Sequence, residues 1–481
     1  MKNLKRIIAG ALAVLTTFAF AGCDKSGSSS DSQSSVKEET VKVVSTDDIG
    51  DIPDGAETEL LFMGDADLNP TAANEKSVGL SLFEDKGGSI KWSRVTASNK
   101  FTKLGAAVTS GKDVPDIFKY EWLAFPCQVV QGFYQPINDV VDFDEPMWTD
   151  VKSTADQYTL DGKYYVAPIS YNPSSLLFYN KKNIIDNGFD DPLELYYNGE
   201  WTVDALEDIM NEWCKSSDGD DQRFGINGYF ALQIVQQTGE TMVKTDDNIT
   251  FTNNLSDPKI AKAEERLSSW KKNGYVQPDW ISSASSAFEK NILFYAMGEW
   301  AATGTSGPGS SDEWGVVPFP RDTSYDGDKP ITTADMTAYM WVIGSEKKDA
   351  VKTFYECYRV AVTDSKYVQN TKEKWLADNP NWTEEDYDVI RSVADPNENL
   401  MIFDPSYGVS SLMGDDFGGF MSGVNLTGWL YNGCTKPDEQ GIEYTWTQLR
   451  EKYTGTREKY TGTVDSELEK INSQITKFLA K

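Results

Sequence analysis

Histidine is absent from this 481-residue chain, and cysteine and basic residues are scarce. Without histidine there is no Ser-His or Cys-His nucleophile pair and no histidine-ligated zinc. The cysteines lie tens of residues apart with no CxxC pair, which excludes a zinc framework or a dense disulfide scaffold. Cys127, Cys214, Cys357 and Cys434 leave room for one structural disulfide or for buried free thiols. Lys and Arg number 45 against 75 Asp and Glu, a formal charge of −30. No basic stripe is visible, so a nucleic-acid partner is not expected. Gly304 to Gly309 is Gly-rich but lacks the Gly-Lys-Ser/Thr of a phosphate loop, and Asp218 to Asp221 lacks the spacing of a calcium loop. No cofactor and no metal are therefore expected.

What is present begins with an address. Lys2, Lys5 and Arg6 precede the apolar run Ile7 to Ala21, about 15 residues and short of the ~20 of a membrane span. It ends in Phe20-Ala21-Gly22-Cys23, which resembles a bacterial lipobox, although Phe20 stands where that motif usually has Leu. The resemblance implies that residues 1–22 are a lipoprotein signal peptide and that Cys23 is lipidated. Residues 23–57 then read as a Ser-rich tether, leading to a folded body.

The body is long enough for two lobes. Glu57 to Gly64 reads as a buried strand, Ser89 to Val95 as a second and Asp116 to Phe118 as a third. Phe101, Leu104 and Val108 mark a helix that Gly111 stops. Strand and helix alternating in this way predict a parallel α/β lobe, with ligands beyond the carboxyl ends of the strands. Thr202 reads as the N-cap of a helix whose apolar face is Leu206, Ile209, Met210 and Trp213, and Leu468, Ile471 and Ile475 stripe a last helix. EKYTGT occurs at Glu451 and again at Glu458, too short a duplication for a repeat architecture.

Several segments, in order, then resemble the family-1 extracellular solute-binding proteins. They are Ser110 to Ile117, Asp161 to Pro168 with Phe178 to Lys181, Gly199 to Asp204, Phe294 to Ala302 and Trp314 to Pro320. The resemblance implies two α/β lobes of the type II periplasmic-binding-protein kind, joined by several crossing strands, with the ligand in the cleft between them. It places the crossings near Ile169, Met336 to Ala338 and Pro396. The implied lobes are 58–168 with 338–398, and 170–336 with 399–481. The implied function is capture of a sugar, an oligosaccharide, by a monomer lipid-anchored on the outer face of the bacterial membrane, and delivery to ABC permease subunits.

A sugar site combines aromatic platforms for ring faces with planar polar side chains for hydroxyls. By position relative to those segments the candidates are Asp65, Tyr120, Glu121, Trp122, Tyr171, Asn172, Tyr229, Trp300, Asp416 and Phe420. Most of the chain's many aromatics must nevertheless be core. Other readings stay open at this stage: the same fold holding a polyamine or a peptide, a sensor subunit, or a surface-anchored glycoside hydrolase using a carboxylate pair.

Overall fold

The computed structural model describes residues 44–72, 75–96, 98–173, 176–217, 221–310, 313–410 and 464–481, with backbone alone at 300 and 301. The N-terminal address with Cys23, Cys434, the EKYTGT repeat, Asp416 and Phe420 lie outside the described residues.

In the first sheet, β1 (Glu59–Gly64), β2 (Ser89–Arg94) and β3 (Ile117–Lys119) run parallel in the order β2-β1-β3. Helices α1 (Val78–Asp85) and α2 (Lys100–Ser110) return the chain between them, and Leu80, Phe83 and Leu104 bury their faces. Asp161 and Gly162, both at positive φ, form the two-residue turn between the short strands Thr159–Leu160 and Lys163–Tyr164. Asp-Gly supplies the backbone conformation such a hairpin requires.

The chain then enters β4 (Ala167–Pro173) and, shortly after, β5 (Leu176–Asn180) in a second sheet. There β5 is joined by β6 (Phe224–Gly228), β7 (Ile292–Met297) and β8 (Trp314–Val317) in the order β8-β5-β7-β6. Every side chain of β7 is buried, as a strand covered on both faces requires. Helix α3 (Val203–Lys215) lays Leu206, Ile209, Met210 and Trp213 inward, and Thr202 caps it by accepting from the Ala205 N–H. Helix α4 (Pro258–Lys272) follows.

Strand β9 (Ile331–Trp341) returns to the first sheet and serves three partners. Tyr339–Trp341 pair antiparallel with β3, Ala334–Tyr339 antiparallel with β4, and Ile331–Thr333 parallel with β10 (Leu400–Ile402). Its register against β4 shifts between Thr337 and Ala338. The expected crossings at Ile169 and Met336 to Ala338 fall on β4 and β9.

Helix α5 (Lys348–Thr363) packs under the first sheet, and Arg359 anchors it. This side chain is 2% exposed and lies over the Trp148 ring. Its guanidinium donates to the Met147 and Ile169 carbonyls and pairs with Asp150. The tether was to run to residue 57, yet Ile49 is buried and the Gly50 N–H donates to Glu356 on α5, 2.8 Å away. Helices α6 (Ser365–Asp378) and α7 (Glu384–Val393) fall within the 338–398 stretch expected in the first lobe. Trp382 and Ile390 join the apolar cluster of Phe178 and Tyr295 on the second sheet, with Trp375 packed against it and the Trp382 ring edge-on to those of Phe178 and Trp375. The last helix, α8 (Val464–Leu479), buries Leu468, Ile471 and Ile475.

Candidate functional site

Beyond the carboxyl ends of β3 and β6 a cavity of about 840 Å³ opens between the two sheets. One wall carries Tyr120, Trp122, Phe125 and Tyr158; the other carries Tyr229, Phe251, Trp280 and the short helix Ala231–Gln236; Asp335 on β9 with Phe403, Asp404, Pro405 and Tyr407 after β10 form the floor.

Local structure explains each placement. Gly228 ends β6 at φ +92, where a Cβ would come within 2.1 Å of the Ala296 carbonyl oxygen. Only glycine fits that approach, and the turn it permits presents Tyr229 beside Trp280 with ring centroids 4.8 Å apart. Both rings are substantially exposed, Trp280 at 46%. Opposite them, Trp122 and Tyr407 meet edge to face at 3.8 Å, and the Trp122 indole N–H donates to Asp335 Oδ1 at 3.3 Å. The Tyr120 hydroxyl donates to that of Tyr158 at 3.3 Å. Burial pushes the hydroxyls of Tyr120, Tyr158 and Tyr229 above the usual phenol range, so all three present neutral hydroxyls.

The charged groups near the cavity are mostly committed. Asp404 is buried and accepts from the Met242 and Ser406 N–H groups at 2.8 and 2.9 Å; burial holds its carboxyl above the usual range despite these donors. Lys244 pairs with Glu240 and lies 4.0 Å from Asp257. No arginine is among the described residues that line the cavity. Gln233 and Gln236 lie one helical turn apart on the short helix, buried in the wall.

Of the residues singled out from the sequence, Tyr120, Trp122 and Tyr229 line the cavity together. Asp65 and Glu121 stand outside it, drawn into ion pairs with Lys119 at 3.1 Å and Lys100 at 2.9 Å. Tyr171 lies behind the wall, its ring 6.1 Å from that of Phe403, and Asn172 sits in the β4–β9 ladder opposite Asp335. Trp300 falls on the short helix Glu299–Ala302, its side chain outside the described residues, as Asp416 and Phe420 are altogether. Sequence reasoning missed Phe125, Tyr158, Trp280, Asp335 and Tyr407. Asp335 was within reach, being one residue before the crossing expected at Met336.

Among the described residues no group of acidic, cysteine or histidine side chains could hold a metal, and Cys127, Cys214 and Cys357 are free thiols. None of the described helices is long and apolar enough to cross a membrane.

Residues 82–372 match the family model described as bacterial extracellular solute-binding protein. Among solved structures, an ABC substrate-binding protein from Listeria monocytogenes in complex with cycloalternan is similar at TM-score 0.52 and 15% identity, over 88% of this chain and 99% of that one. The cyclic alpha-maltosyl-1,6-maltose binding protein from Arthrobacter globiformis is similar at TM-score 0.58 and 16% identity, over 87% and 99%. The GacH receptor of Streptomyces glaucescens, solved unliganded and with acarbose, is similar at 0.51 and 15%, over 88% and 99%. At such identities the likeness is one of fold. No curated relative matches the sequence.

Proposed function

Because the chain belongs to the bacterial extracellular solute-binding protein family, we propose that it captures an oligosaccharide in the cleft between its two sheets and delivers it to the permease subunits of an ABC importer. The observation that carries this reading is the cavity itself, with aromatic faces on both walls and amides and carboxylates between them. A sugar ring is apolar on its faces and hydroxylated at its edge. It therefore stacks on Trp280 and Tyr229, or against Trp122, while its hydroxyls pair with groups such as Gln157 and Asn248. At about 840 Å³ the space is near the upper end of small-molecule pockets and exceeds what one hexose fills. Proteins of like fold solved with cycloalternan and with acarbose support the same class of solute. Family membership carries a binding role outside the cytoplasm.

The cleft closes by rotation about β4, β9 and β10, the end of the first sheet from which the chain passes to the second and returns. Titration of the purified chain with maltotriose and maltotetraose should raise its melting temperature, and glucose should do so far less. Silence towards every oligosaccharide would overturn the reading.

The finer part of the proposal concerns the N-terminus. Cys23 is lipidated after removal of residues 1–22, so that the protein works as an anchored monomer. Cys23→Ala should shift the protein from the membrane fraction to the soluble one. Persistence in the membrane fraction would rule the anchor out.

A further inference from the structure

The cavity floor holds one carboxylate with an acceptor to spare. Asp335 Oδ1 accepts from the Trp122 indole at 3.3 Å and from the Met336 N–H at 2.9 Å, and its other oxygen has no partner among the described residues. The cations nearby are already matched. Lys100 is paired with Glu121 and Lys119 with Asp65, at 2.9 and 3.1 Å, so that three carboxylates share two lysines. Lys244, on the other wall, is held by Glu240. Asp404, the remaining acid of the lining, is buried and spent on two backbone N–H groups.

Asp335 therefore faces a cavity with a net negative charge, beside the Trp122 indole and in the same lining as the exposed rings of Tyr229 and Trp280. A neutral hydroxyl can use that oxygen, but an ammonium gains more. It forms a charge-assisted hydrogen bond to the carboxylate and is attracted to the electron-rich ring faces. The chain's formal charge of −30 also raises the local concentration of cations.

We propose that the cleft selects a solute bearing a protonated amine, an amino-sugar oligosaccharide, with Asp335 as the group that binds the amine. This rests on the carbohydrate reading above and narrows it.

Calorimetric titration of the full chain with the β-1,4-linked glucosamine trisaccharide, its N-acetylated counterpart and spermidine tests the idea. The amino trisaccharide should bind about tenfold more tightly than the N-acetylated one, as expected for one charge-assisted contact in a partly desolvated site. Asp335→Asn should abolish that preference, weakening the amine-bearing sugar about tenfold more than the neutral one. Since the substitution also touches the Trp122 hydrogen bond, the wild-type protein provides a second readout: added sodium chloride should weaken the amine-bearing sugar and not the neutral one. Equal affinity of the two sugars, a preference that survives Asp335→Asn, or no selective salt effect overturns the proposal. Binding of neutral sugars alone overturns it and leaves the carbohydrate reading standing. Binding of spermidine without either sugar overturns both this proposal and the carbohydrate reading. Failure of both amine probes to bind overturns the proposal outright.

Discussion

Replacing Arg359 with Ala should lower the unfolding free energy by about 3–5 kcal/mol, the usual result of breaking a buried charge pair from one side. The guanidinium is 2% exposed and satisfies two backbone carbonyls, Met147 and Ile169, and the Asp150 carboxylate. Its removal leaves two buried acceptors without donors and a carboxylate without its counter-charge. A domain has ~5–15 kcal/mol in total, so the variant should sit close to its unfolding threshold at room temperature. Arg359→Lys should recover only part of the loss. One ammonium cannot reproduce the planar fork that reaches three acceptors at once. Urea unfolding of the three proteins decides the matter. A loss below about 1 kcal/mol in the Ala variant, the worth of an ordinary hydrogen bond, would contradict this account.

Trp280→Ala is expected to act the other way round, on binding and hardly on stability. At 46% exposure the indole contributes little to the core, and its chief contact is the Tyr229 ring at 4.8 Å. Covered by a sugar ring, it becomes an aromatic anchor of the kind whose truncation costs ~2 kcal/mol or more. Affinity for a bound oligosaccharide should therefore fall by about thirtyfold, at ~1.4 kcal/mol per factor of ten. The melting temperature of the unliganded protein should hardly move. Unchanged affinity, or a collapse in melting temperature, would remove Trp280 from the list of platforms. Phe125→Ala is the useful contrast, since Phe125 lines the same cavity but is buried. It should lose stability first.

Local order was legible wherever one residue type dictates one conformation. Thr202 caps its helix, and the three strand runs of the first sheet became strands within two residues of where their hydrophobic pattern placed them. The candidate site was legible in part for a related reason. Tyr120, Trp122 and Tyr229 directly follow strand ends, and in an open α/β sheet such positions face the ligand crevice. Asp65 and Glu121 follow strands too, but lysines on β3 and α2 reach them, and nothing in local sequence reports a partner 54 or 21 residues away. Trp280 was hidden for the opposite reason: it arrives on a loop after α4, and loop trajectories are set by tertiary contacts. Asp335 lies inside a strand, where alternation says which face a residue occupies but not that the face borders a cleft.

Strand β9 has a bearing on how the molecule comes into being. It is laid against β3, β4 and β10 at once, so the first sheet lacks its antiparallel partner until residue 341 has been synthesised. The anchor of α5, Arg359, comes later still. For roughly the first two thirds of translation the nascent chain can form helices and hairpins but cannot close its first core. A protein of an extracellular family benefits from that delay, because a translocation channel accepts an extended polypeptide and rejects a finished domain. A strand shared by three partners of the first sheet thus ties closure of that core to the last third of the chain.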